Sequence, residues 1–270
     1  MGAGKRTYRK VKNSLGRRGI YFQATPRSLA LGLQNKTVQP ELFNRAYFTP
    51  FARPDRWSRL YLESQEITSG AETDNVLRQC RFYSTLQFAE HAAALSDGDV
   101  VECGCWRGHS AVGISRILAD HHFGGEFHVF DSFEGGLSEF KPEDDSLLVH
   151  SDAQKQRLTE AFASSFDSVK AITDEFGFVT LHKGWIPDTF VDFEPRPLRF
   201  VHVDVDLYEP TKAALEFFWP HMVRGGVLVC DDYNSSLFEG ASRAVDEFLA
   251  DIESPALVYR PPLGSIVLVK

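Results

Sequence analysis

The chain has 270 residues, of which 43% are apolar and 24% charged. That length suits one large domain with a sizeable core, and the balance excludes disordered, collagen-like and disulfide-scaffold chains. No run of about 18 apolar residues occurs, so no membrane-spanning helix is expected. The net charge of −8 is unevenly spread: residues 1–40 carry nine Lys and Arg and no acid, so all 37 acids stand against the other 20 bases.

An acidic body repels phosphates, which argues against nucleic acid as a partner. The basic stretch over 1–45 reads as an irregular, solvated arm. Its longest apolar run, Leu29-Ala30-Leu31, is too short for a secretory signal. Arg6 stands where a myristoylation signal requires Ser or Thr. Cys80, Cys103, Cys105 and Cys230 form no Cys-x-x-Cys pair, so reduced thiols in the cytoplasm are expected.

Residues 46–72 place aromatics and charges around Pro50 and Pro54 and predict turns and short helices. Over 74–95 apolar residues recur at three- and four-residue steps, which predicts a helix and completes an N-terminal helical segment over 46–95. Asp97-Gly98-Asp99 ends it. Strand and helix signals then alternate through 96–270. Strands are predicted at 100–104, 127–131, 179–182, 198–204 and 227–231, with a terminal pair at 256–259 and 265–269. Helices are predicted at 109–120, 152–165, 210–219 and 240–251, the third opened by Pro210 in its first turn. Apolar strands alternating with helices predict a doubly wound, parallel α/β sheet. Ligands of such sheets sit at the carboxyl ends of the strands.

Acids dominate those ends. The first strand runs into Glu102-Cys103-Gly104-Cys105-Trp106-Arg107-Gly108, an E-x-G-x-x-x-G turn. Gly104 permits a tight turn and Gly108 lets the next helix begin close to a ligand. The spacing differs from the G-x-G-x-x-G dinucleotide fingerprint and suits a ligand without phosphates. Asp131 ends the second strand, where a carboxylate accepts hydrogen bonds from ribose hydroxyls. Together they predict a nucleoside with a cationic, amino-acid tail: S-adenosylmethionine. Asp204 and Asp206 follow the fourth strand, and Asp231 and Asp232 the fifth. Adjacent parallel strands lie about 5 Å apart, so these carboxylates are expected to converge. Their repulsion is relieved by a hard divalent cation, Mg²⁺ ahead of Ca²⁺ or Mn²⁺. The competing expectation is that Asp204 and Asp206 cap the helix at 210–219.

Six motifs carry a family resemblance: VVECGCWRGHSA (100–111), VFDSFEGG (129–136), HKGWIPDTF (182–190), HVDVDLYEPTKAAL (202–215), GGVLVCDDY (225–233) and GASRAVDEF (240–248). In this order the chain resembles the macrocin/mycinamicin O-methyltransferase family over about residues 74–250. The resemblance implies a Rossmann-like class I methyltransferase fold, a seven-stranded, mostly parallel sheet with helices on both faces, and a 96–270 cofactor domain. It implies a metal-dependent enzyme that moves a methyl group from S-adenosylmethionine to a sugar hydroxyl. Asp204, Asp231 and Asp232 match the family's metal ligands.

Within the motifs, the residues expected to meet the cofactor are Glu102, Gly104, Trp106, Gly108, His109, Ser110, Asp131, Ser132, Phe133, Gly184, Trp185 and Asp204. The general base is expected to be Asp204 or His150, which lies in a segment where the family carries a histidine. The expected partner is a small hydroxylated acceptor, and the arm and first helices suggest a homo-oligomer. Two other readings stand beside this one: a catechol-type O-methyltransferase, which typically has a lysine soon after the first metal aspartate, and a non-catalytic cofactor-binding module. Here Leu207-Tyr208-Glu209 follow Asp206 and Lys212 comes a turn later, which favours sugar-like acceptors.

Overall fold

The computed structural model describes residues 20–22, 42–44, 55–68, 75–95, 97–144, 146, 148–261 and 264–270. Of the basic arm, Ile20–Phe22 (β1) and Leu42–Asn44 (β2) fall among them, paired antiparallel, and the remainder of 1–45 lies outside the described residues. Turns and short helices were expected over 46–72; where described, this stretch is instead one twelve-residue helix, Arg56–Ile67 (α1). A reciprocal cap starts it: Asp55 Oδ1 accepts from the Ser58 amide at 2.9 Å, and Ser58 Oγ accepts from the Asp55 amide at 2.8 Å. This satisfies two amide donors that a helix start leaves orphaned. Val76–Ala93 (α2) follows, capped by the Asn75 side chain.

Strands and helices then alternate: Asp99–Cys103 (β3), His109–Asp120 (α3), Phe127–Asp131 (β4), Asp152–Ala161 (α4), Phe166–Thr173 (α5), Val179–Lys183 (β5), Leu198–Val203 (β6), Tyr208–Phe218 (α6), Met222–Cys230 (β7), Glu239–Asp251 (α7), Leu257–Tyr259 (β8) and Ile266–Val269 (β9). The seven strands from β3 onward form one sheet in the order β5-β4-β3-β6-β7-β9-β8. β3 to β7 run parallel, and β9 pairs antiparallel with both β7 and β8. The chain leaves β3 for β4 on one side and returns to β6 on the other. The switch point therefore lies between β3 and β6, where a doubly wound sheet opens a crevice for a ligand.

Side-chain alternation splits the strands between two layers. Val100, Phe127, Val129, Phe200, Val227 and Val229 join Tyr61, Leu86, Ile114 and Ile117 of α1 to α3. Val101, Cys103, Phe130, Val201, Val203, Leu228 and Cys230 join Leu215, Phe218, Val245 and Phe248 of α6 and α7. Both layers are fully buried around the central strands, which explains why those strands read as continuous apolar runs.

Three boundaries differ from expectation. The helix predicted over 152–165 ends at Ala161, and α5 begins separately behind the Ser165 cap. β7 starts at Met222, ahead of Gly225-Gly226, and its register with β6 slips between Leu198 and Phe200. Gly225, at φ +80°, supplies the left-handed residue for that irregularity. α6 begins two residues before Pro210, because the Tyr208 amide is taken by the buried Asp144 carboxylate at 2.7 Å.

His109 couples α3 to the N-terminal helices. Its Nε2–H donates to the Tyr61 carbonyl at 3.0 Å, and Nδ1 accepts from Arg78 at 2.8 Å. Its ring stacks on Phe82 at 4.3 Å. Burial, with the nearby Arg78 charge, pushes its pKa down to about 3. The unfolded chain therefore binds a proton on this residue that the folded chain refuses between about pH 6.5 and 3, and stability falls with pH across that window. We predict that replacing His109 by Gln flattens this acid-side loss. Thermal midpoints measured from pH 7 to 4 check it; parallel curves for the two proteins would contradict it.

Candidate active site

A cleft of about 830 Å³ opens at the carboxyl ends of β3, β4 and β6. Gly104 makes its floor possible. The residue sits at φ +82°, and a Cβ there would lie 1.9 Å from the Asp204 carbonyl oxygen. Only glycine lets the β3 turn and the β6 turn touch. Asp131 braces the same turn. Its Oδ2 accepts from the Cys105 and Trp106 amides at 2.9 and 3.0 Å, and its Oδ1 from the Phe133 amide and Ser164 Oγ, each at 2.9 Å. A carboxylate offers about four acceptor positions, and Asp131, the expected ribose acceptor, directs its two oxygens to these four donors while lining the cleft.

The four acids do converge. Val203 and Cys230 are register partners in adjacent parallel strands, so the residues that follow them emerge side by side. Asp204, Asp206 and Asp232 bring carboxylate oxygens within 4.8 Å of one another, and a ring nitrogen of His202 lies that close to carboxylate oxygens of Asp204 and Asp231. The three expected ligands are thus shared between two overlapping groups, with Asp204 common to both. Asp206 is a member as well, held at φ +63°, an uncommon left-handed conformation for a non-glycine residue that is tolerated where the surroundings impose it. The Asp206 amide donates to Asp232 Oδ2 at 3.2 Å. Neither Asp204 nor Asp206 caps α6; Asp144 does that.

Electrostatics here are unbalanced. Burial first, then neighbouring carboxylates, hold Asp204 and Asp206 well above the ordinary range; burial and Asp231 also raise Asp232. One cation from α2 answers them. Arg81 Nη1 donates to the Asp231 carbonyl at 3.0 Å, and lies 3.3 Å from Asp232 Oδ1 and 3.4 Å from Asp231 Oδ2. Sequence reading passed over Arg81. The signal was a charged residue set between two apolar ones, Cys80 and Phe82, in a helical stretch.

Below the acids, His202 Nδ1 meets Glu102 Oε1 at 2.8 Å, both side chains almost fully buried. Although burial opposes its charged form, Glu102, Asp231 and Asp204 raise the His202 pKa to about 9. Four buried side-chain atoms on cleft-lining residues have no partner among the described residues: Arg81 Nε, His202 Nε2, Trp106 Nε1 and Ser132 Oγ.

The other expected residues divide. Gly104, Trp106, His109, Ser110, Asp131, Ser132, Gly184, Trp185 and Asp204 line the cleft. Glu102 lies buried behind it on His202. Gly108 and Phe133 are not among the lining residues: a Cβ on Gly108 would strike Ile172 of α5, and Phe133 packs in the core against Phe166. His109 lines the wall, but both ring nitrogens are engaged with Tyr61 and Arg78. His150 does not reach the acids. It stands exposed just before the Ser151 cap of α4, outside the cleft lining. Tyr208 and Lys212 turn to Glu247, at 2.6 and 2.9 Å, so no lysine lines the cleft among the described residues.

The oxygen donors fit a divalent cation: several carboxylates from two strands face one another with a single arginine against them. The cleft also fits a nucleoside, with a glycine floor and unpartnered buried donors beside two tryptophans. We predict that Arg81→Gln costs about 3–5 kcal/mol near pH 7, as expected for removing one side of a buried ion pair. The loss shrinks on acidification, because protonating the raised carboxyls removes the repulsion that Arg81 offsets. Urea unfolding at pH 7 and 5 checks this; an equal loss at both would contradict it.

Comparison with known proteins agrees with this geometry. The family model described as macrocin-O-methyltransferase (TylF) matches residues 86–257. A tetracenomycin-C-type 4'-O-methyltransferase acting on a dimethoxy-rhamnosyl derivative, from Streptomyces olivaceus, is 33% identical over 143 residues, 50% of this chain and 53% of the relative. The mycinamicin III 3''-O-methyltransferase of Micromonospora griseorubida is 28% identical over 52% of this chain and 58% of its own length. The chain thus spans little more than half the length of these relatives. Among solved structures, the O-methyltransferase NovP superposes with a TM-score of 0.63 at 23% identity, covering 79% of this chain and 99% of NovP. The fold is that of the class I O-methyltransferases, a Rossmann-like α/β sheet. With its glycine-floored crevice, its paired aspartates at adjacent strand ends and a family match over well more than half of its length, the chain belongs to the TylF macrocin-O-methyltransferase family.

Proposed function

We propose that the chain is an S-adenosylmethionine-dependent O-methyltransferase assisted by a divalent cation, for which Mg²⁺ suffices, with a hydroxyl of a sugar-like or natural-product acceptor as its substrate. One observation carries the reading. The glycine turn suited to a nucleoside and the acids suited to a cation touch, at Gly104 and Asp204, within a single cleft. The names of the relatives, O-methyltransferases of glycosylated natural products, support the acceptor class.

In this reading the Gly104 turn, Ser132 and Trp185 hold the nucleoside end of the cofactor. A cationic sulfonium suits a cleft whose charges are mostly carboxylate. Asp204, Asp231 and Asp232, with Asp206 beside them, would hold the metal, which when bound lowers the pKa of an acceptor hydroxyl and fixes its direction. S-adenosylmethionine, when bound, would supply a methyl carbon to the acceptor oxygen, its carbon–sulfur bond breaking to leave a neutral thioether. The hydroxyl proton passes to Asp204, the carboxylate shared by both acidic groups. Placement of donor and acceptor supplies up to about 7–11 kcal/mol of the barrier, against roughly 10²–10⁴-fold from the base. Lys212, held by Glu247, is turned away from the catechol-type arrangement.

Two measurements test the proposal. Release of S-adenosylhomocysteine is followed across a panel of sugar-bearing and catechol acceptors, with and without EDTA. The expected result is turnover on a sugar-bearing acceptor that chelation abolishes and Mg²⁺ restores; chelator-resistant turnover, or turnover on catechols alone, would overturn it. Asp204→Asn should lose turnover by at least about 10²-fold while its cofactor affinity stays nearly unchanged by calorimetry. Normal turnover in that variant sinks the metal and base assignments together.

A further inference from the structure

We propose that His202 is a nitrogen ligand of the cation, so that the site has a mixed imidazole–carboxylate donor set and prefers a first-row transition ion such as Mn²⁺ over Mg²⁺. This deepens the reading above and rests on a cation being bound there. The observation is geometric. His202 is 2% exposed and stands on β6 two residues before Asp204. Its Nε2 has no partner among the described residues, although it is buried and its residue lines the cleft. One of its ring nitrogens lies within 4.8 Å of carboxylate oxygens of Asp204 and Asp231, which themselves lie that close together. Three donors within that distance could converge on one ion with bonds of about 2.0–2.2 Å after a small closing of the group.

The other ring nitrogen explains why Nε2 is available. Nδ1 lies 2.8 Å from Glu102 Oε1, and a carboxylate accepts only from an N–H, so the Nδ1 proton is fixed there. The lone pair of the neutral ring is then on Nε2, directed away from Glu102. A ligating histidine ordinarily donates its remote N–H to a carboxylate in this way, which fixes its tautomer and raises its basicity. Glu102 therefore acts as a positioning residue for His202, an assignment distinct from direct contact with the cofactor. On binding, any proton on Nε2 is released to solvent as the nitrogen–metal bond forms; no electron changes hands. Imidazole suits later first-row ions, whereas Mg²⁺ favours all-oxygen shells, and this sets the selectivity.

The test uses the full chain loaded with one equivalent of Mn²⁺ and pulsed EPR, which detects a nitrogen bonded directly to the ion. Wild type is expected to show nitrogen modulation that changes when its histidines are labelled with ¹⁵N, and His202→Asn to lose it. Competition with Mg²⁺ should show a Mn²⁺ preference that falls on the order of tenfold in Glu102→Gln, by analogy with the loss of other histidine-supporting carboxylates. If His202→Asn fails to fold, the ¹⁵N result on wild type still decides whether a histidine is bonded. Mn²⁺ that binds with no nitrogen modulation overturns the His202 assignment and leaves the metal reading standing. No Mn²⁺ or Mg²⁺ binding at all overturns both.

Discussion

The organising constraint is the crowding of negative charge where β6 and β7 end. These strands are parallel neighbours in register, and neighbouring strands lie about 4.8 Å apart. Aspartates immediately after each strand must therefore share one small volume. The protein meets that repulsion partly with Arg81 from α2, partly by keeping acidic protons beyond their usual range, and leaves the remainder uncompensated. In the proposed reading a divalent cation would offset that remainder.

The surrounding architecture follows from bringing a second ligand against that charge. The Gly104 turn approaches the Asp204 carbonyl so closely that no other residue fits, and the four donors on Asp131 keep the turn in that shape. α2 carries Arg81 into the cluster while Leu86 and Ala89 of the same helix pack in the core. The N-terminal helices are thus electrostatically part of the site as well as part of its packing. Asp144 ties the loop before α4 to the start of α6, and that loop forms one wall of the cleft.

Most of the frame was legible in the sequence. The strands are short apolar runs ended by Gly or Asp, and β3, β4 and β6 fall within a residue or so of their expected positions because full burial on both faces leaves a strong signal. The convergence of the acids was legible too, since it needs only the adjacency of two strands. What was hidden depends on long-range partners. The hold of Asp131 on the Cys105 and Trp106 amides joins residues 26 and 25 positions apart. His150 lies before a helix in sequence and stands exposed at its start, outside the cleft lining. Arg81 and the Glu102–His202 pair join residues 150 and 100 positions apart, and no local pattern announces such a pairing. The helix expected over 152–165 ran past its end at Ala161, and α5 was not expected at all; only the Ser165 cap marks its start.

The central claim is spatial, that the carboxylates after β6 and β7 form one cation site beside the nucleoside crevice. Crystals grown with S-adenosylhomocysteine and Mn²⁺, with anomalous differences collected near the manganese edge, test it most directly. The account predicts a single strong peak in bonding contact with Asp204 and with the Asp231-Asp232 pair, adjoining a nucleoside lodged over the Gly104 turn. A peak elsewhere on the molecule, or a fully occupied nucleoside beside acids that bind no ion, would contradict it.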